Sequence, residues 1–148
     1  MLAMALATTG CGGDEVPNED PGAFVRSVVA KLYAGDSATA WEALHPRHQE
    51  AVPRARYVQC ERLAPLQEKL RHIEVVGISD SPSTVPGDDG AVDSKAVEVT
   101  LLVKLPEVEE PQEITHTVHV FAVDGSWTWV IGPTDFASYA SGRCPSDG

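Results

Sequence analysis

Basic residues, aromatic residues and cysteines are all scarce in this chain of 148 residues. Eleven Lys and Arg stand against 22 Asp and Glu, a formal net charge of −11. Nucleic-acid phosphates demand positive surface, so the balance argues against a nucleic-acid partner. It also disfavours tight docking of the domain itself on anionic lipid. A solvated acidic surface is the plain reading of the excess. No apolar run reaches the roughly 20 residues that cross a bilayer as a helix. Motifs of group-transfer chemistry are missing as well: there is no G-x-S-x-G, no H-E-x-x-H and no C-x-x-C. Gly87-Asp-Asp-Gly90 carries the wrong charge to cradle a phosphate. Nothing in the chain implies a cofactor or a metal.

What is present begins with the segment Met1-Leu-Ala-Met-Ala-Leu-Ala-Thr-Thr-Gly10-Cys11, apolar, uncharged and ending in small residues before a cysteine. An acidic stretch rich in Gly and Pro follows it. This resembles the cleavage end of a bacterial lipoprotein signal peptide, in which the cysteine is lipidated and becomes the new N-terminus. The positively charged start of such a signal is absent, so the natural chain is expected to begin before Met1. The resemblance implies an extracytoplasmic domain held at the membrane face through Cys11, without spanning the membrane. Residues 1–11 would be the residual signal, 12–19 a flexible tether, and 20–148 one domain with a single core. With Cys11 assigned to lipid, Cys60 and Cys144 are an even pair in an exported domain, where oxidation is expected. A bridge between them would close a loop of roughly 85 residues, worth about 4–5 kcal/mol on chain-entropy reasoning. A buried thiol at 60 and an exposed one at 144 are the alternative.

Asp20-Pro21 predicts a helix start, and Phe24, Val25, Val28, Val29, Leu32 and Tyr33 recur at helical steps as far as Gly35. Asp36 or Ser37 can cap a second short helix carrying Trp41 and Leu44, which His45-Pro46 breaks. Residues 46–52 suit a third helical turn. Pro53 opens a further helix with an inner stripe of Tyr57, Cys60, Leu63 and Leu66, and residues 66–71 suit another helical turn. The period then changes. Residues 72–79 read as a strand, 80–91 as a surface loop, and 94–105 as a strand whose Val97, Val99, Leu101 and Val103 share one face. Residues 112–123 form another strand, Asp124-Gly125 a hairpin turn, and 126–131 its partner strand, before a terminal turn over 135–139.

Helices followed by a meander of about four strands predict an α+β domain with a helical layer on one face of an antiparallel sheet. The run Ala40-Trp41-Glu-Ala-Leu44-His45-Pro46, Tyr57-Val-Gln-Cys60 and the ending Gly125-Ser-Trp127-Thr-Trp129 resemble the cone-shaped fold of nuclear transport factor, ketosteroid isomerase and small actinobacterial lipoproteins. That cystatin-like resemblance implies a curved sheet with a pocket on its concave side. It is weak for activity, because the fold hosts enzymes, binding modules and spacers.

His116 and His119 are three apart on one strand, so they face opposite ways, and one of them is expected to look into the cone. Either a satisfied core histidine or a general base fits. Asp135 fits a helix cap or an acid paired with a histidine at the cone mouth. Isomerase chemistry of the ketosteroid type needs a base carboxylate with a tyrosine or protonated-acid oxyanion hole; Tyr33, Tyr57 and Tyr139 are available, but no matching set aligns. Trp127 and Trp129, on one strand face, fit core packing or an aromatic wall for a ligand. His45 and His48 flank Pro46 and fit structural roles better than a metal pair, and no third ligand stands nearby. The expected function is therefore non-enzymatic binding of a small apolar ligand or an envelope protein. The second reading is a small lyase or isomerase using a pocket His/Asp pair.

Overall fold

A computed structural model describes residues 15–147. Cys11 and residues 12–14 of the expected tether lie outside the described residues. Asp20 opens the first helix, α1 (Pro21–Tyr33), by accepting a hydrogen bond from the Ala23 amide at 3.1 Å, with Pro21 at the position where no amide is needed. Phe24, Val25, Val28 and Val29 bury its inner stripe. Asp36 caps α2 (Ser37–Glu42) through the Thr39 amide and hydroxyl. Two helices follow, α3 (Pro46–Ala51), which begins at a proline, and α4 (Arg54–Leu63), which begins just after one.

Four strands then run in order across one antiparallel sheet: β1 (Lys69–Asp80), β2 (Lys95–Lys104), β3 (Gln112–Val123) and β4 (Ser126–Thr128). The alternation in β2 is as the sequence predicts: Val97, Val99, Leu101 and Val103 are buried, while Glu98 is exposed. α1 lies across β1 and β2. Leu44, Val52, Tyr57, Cys60, Trp129 and Ile131 complete the same core. Trp41 is half-buried and packs against it, its indole N–H donating to the Val52 carbonyl at 2.7 Å. α5 (Pro133–Ala140) and a 3-10 turn (Pro145–Asp147) finish the chain. Cys60 of α4 is bonded to Cys144, with 5.4 Å between their Cα atoms, so the tail is pinned to the helical layer.

The curved cone expected from the resemblance is not formed. The sheet is open and does not curl: β1 and β4 are its edges, and it does not close. The physical reason lies after Thr128. The sequence predicts a strand to Ile131, but the Trp129 amide donates to the Ala43 carbonyl and its carbonyl accepts from the His45 amide, at 3.1 and 2.8 Å. The chain thereby leaves the sheet for a bridge to the α2–α3 connection. β4 is left with three residues, which pair only with Phe121–Val123, so the first nine residues of β3 have no strand beyond them to carry a curl onward.

Smaller corrections follow from packing. Residues 66–71 do not make a helical turn, because α4 stops before Pro65 and β1 begins at Lys69. Leu63 and Leu66 are 68% and 49% exposed and take no part in the inner stripe. Asp135 is not a cap: Gly132 occupies that position and makes no side-chain hydrogen bond, and Asp135 sits in the first turn of α5, where the helix dipole favours a carboxylate.

Candidate functional site

The connection between β1 and β2 roofs a broad groove. It is a tongue rather than a slack loop. Ser81 bonds Ser94, and Ser83 exchanges two backbone hydrogen bonds with Val92 at 3.0 and 2.9 Å, so the hairpin continues beyond the regular strands. The tip at 85–88 is clamped onto α3. The Arg47 guanidinium grips the Asp88 carboxylate at 2.7 Å. Gly87 has φ +92°, and a Cβ there would lie 2.5 Å from the Phe136 ring, so glycine alone suits both the backbone and the space.

His48 is the centre of the clamp and is fully buried. Its Nδ1 accepts from the Ile131 amide at 3.0 Å. That leaves the proton on Nε2, which donates to the Pro86 carbonyl at 2.9 Å. The ring stacks on Phe136, with centroids 4.3 Å apart. Burial lowers the pKa of His48; the Pro86 hydrogen bond opposes this, and the nearby His45 charge adds to it. The neutral imidazole thus ties α3, the tongue and the end of the hairpin together. His45, read from sequence as the end of α2, caps α3 instead: its Nδ1 accepts from the Arg47 amide at 3.2 Å. The same ring meets Phe121 edge-on at 5.9 Å.

Beneath the tongue is a groove of about 840 Å³. Val85 and Phe121 form its floor and are 3% and 2% exposed. Phe121 alternates with Val120, so the two faces of β3 serve different interiors: Val120 enters the main core and Phe121 the groove floor. Val16, Val92 and Trp127 supply further apolar wall. Asp80, Asp88 and Asp93 stand at the rim with Lys95, which pairs with Asp80. The Trp127 indole N–H donates to the Glu19 carbonyl at 2.7 Å, which holds the stretch before α1 against the groove.

The residues singled out in the sequence are scattered by this arrangement. Trp127 and Trp129 both belong to the main core; Trp127 also lines the groove, and Trp129 donates to the Ala40 carbonyl at 2.7 Å. His116 pairs with Val99 on the helix-covered face but is exposed. His119 is on the other face and half-buried. Ser94 donates to the Ser81 carbonyl, which leaves its oxygen to accept from His119 Nδ1 at 3.2 Å. No hydrogen bond joins Asp135 to either histidine among the described residues, nor does any group of three His, Cys, Asp or Glu there converge on a metal position.

Sequence reasoning missed a second polar cluster. The Tyr139 hydroxyl donates to Glu61 at 3.3 Å, with the Tyr57 ring 5.9 Å from that of Tyr139. Burial first, and then the Glu61 charge, raises the pKa of both tyrosines. Burial also raises that of Glu61; the Tyr139 hydrogen bond opposes this and the Asp135 charge adds to it. Glu61 directly follows Cys60, which is buried, and that adjacency was the available signal. For the groove the signal was Val85 and Val92, two apolar residues inside a stretch read as surface.

No protein-family model, curated protein or solved structure matches the chain. With the open sheet, this leaves the cone-fold resemblance without support.

Proposed function

We propose that the protein is a non-enzymatic binding domain that takes up a small apolar molecule in the groove beneath the 81–94 tongue, and that a lipid on Cys11 holds it at the extracytoplasmic face of the membrane. The observation that carries the reading is the groove itself: about 840 Å³, with an apolar floor and a few polar groups at the rim. That size and lining suit a small-molecule site. Two further features support the placement. The Cys60–Cys144 bridge fits an oxidising compartment. Val16, which lines the groove, stands five residues after Cys11, so a lipid there would keep the groove within about 18 Å of the bilayer surface.

The uncharged dye Nile red tests the binding reading. Its fluorescence should rise saturably on titration with the protein. Val123→Trp, which puts bulk into the groove wall on the Phe121 face of β3, should abolish that rise while leaving the melting temperature within a few degrees. A rise that survives Val123→Trp, or no saturable rise at all, contradicts it. For the anchor, metabolic labelling with a palmitate analogue should mark the full chain and fail on Cys11→Ser; an unlabelled wild type contradicts it.

A further inference from the structure

From the charges at the rim of the groove we infer that the ligand is a cationic amphiphile, a small organic ammonium carrying an aliphatic body; this rests on the groove being the binding site. Three carboxylates, Asp80, Asp88 and Asp93, face one lysine at the mouth. Lys95 is committed to Asp80, and Arg47 reaches Asp88 from α3. Asp93 is exposed and makes no ion pair among the described residues. A ligand head group entering here meets an uncompensated carboxylate, and the field of a chain with net charge −11 lies behind it.

The three kinds of head group separate on that basis. An anion would be repelled by Asp93 and by the overall charge. A neutral head would gain the burial of its apolar body against Val16, Val92 and the groove floor, and nothing from the rim. A cation would gain both. A quaternary ammonium is also weakly hydrated compared with a primary one, so less is lost when it approaches a partly covered rim. The size agrees: a pocket of this class accommodates a ligand with an aliphatic chain and a compact head.

The test compares octyltrimethylammonium, octyl glucoside and octyl sulfate, each below its micelle concentration, by calorimetry and by amide shifts in a labelled sample. The cation should bind about tenfold more tightly than the glucoside, and the sulfate more weakly than either. Shifts should centre on Val85, Val92 and Val123. Asp93→Asn should weaken the cation about threefold to tenfold and leave the glucoside unchanged, and salt at about 0.5 M should narrow the gap. Equal affinity for the three heads overturns the inference and leaves the groove reading standing. Cation shifts spread over the outer sheet around Glu98 and Glu113, in place of the groove, also overturn it. No groove shifts with any of the three overturn both.

Discussion

Val120 and Phe121 are neighbours on one strand, yet they belong to differently secured interiors. The face with Val120 is packed by α1, α2 and α4 and locked by the disulfide. The face with Phe121 is closed by a tongue that α3 holds through His48 and one Arg47–Asp88 ion pair. Apolar burial is spread over many contacts, so the first interior keeps its arrangement when one of them goes, at a cost in stability. The second depends on a few directional bonds, and losing one releases a wall. A binding groove needs such a wall, because a ligand must enter a space whose floor is almost sealed in the free protein.

The largest effect expected on the first interior comes from the bridge. Cys60→Ser with Cys144→Ser should cost about 4 kcal/mol of unfolding free energy, read by denaturant melts, because a loop of 84 residues is no longer closed in the unfolded chain. Amide shifts at Val85 and Val92 should stay in place. If they move as much as those around Cys60, the two interiors are one.

His48→Ala should act on the other side. It leaves the Pro86 carbonyl and the Ile131 amide without partners and removes the ring stacked on Phe136, a loss of about 2–3 kcal/mol. Limited proteolysis should then cut within 84–91 while β2 remains protected. Cutting distributed along the whole chain would mean that His48 supports the main core equally.

The smallest effect belongs to Glu61. Its pKa is raised in the folded protein, so the fold binds the proton more tightly than the unfolded chain does. Stability therefore falls as pH rises from the ordinary carboxylate value through the raised one. Glu61→Gln keeps an acceptor for Tyr139 and removes the charge, and at pH 7 it should raise the melting temperature by about 1–3 °C. A lower melting temperature for this variant at pH 7 would contradict the burial account.

The contrast between the interiors also explains what the sequence made legible. Local signals were sufficient for α1, because Asp20-Pro21 and the Val25–Val28–Val29 stripe act within a few residues, and for the β3–β4 turn, where Asp124 and Gly125 both take positive φ. Val97 to Val103 announced the covered face of the sheet by alternation alone. The open sheet was not legible, because the early end of β4 is decided by Trp129 bonding Ala43 and His45, some 85 positions earlier in the chain. Similarly, the sequence gives His48 a structural role beside Pro46 but not its partners, because Pro86 and Ile131 arrive from two distant elements. The candidate site was read least well for the same reason. Alternation is enough to single out Trp127, while the Asp-rich tongue that completes the groove has the composition of a surface loop.

The separate fastening of the tongue is tested most directly by native-state hydrogen exchange at two pH values, corrected for intrinsic rates. Folded His48 has a lowered pKa, so the unfolded or opened chain takes up its proton first as pH falls through about 6.5. Its stabilisation is present above that value and is lost below it. Between pH 7.5 and 5.5 the Ser83 and Val92 amides should lose protection about tenfold, while Val99 and Leu101 should keep theirs. Equal loss in both pairs, or none at Ser83 and Val92, would contradict a tongue held independently of the core.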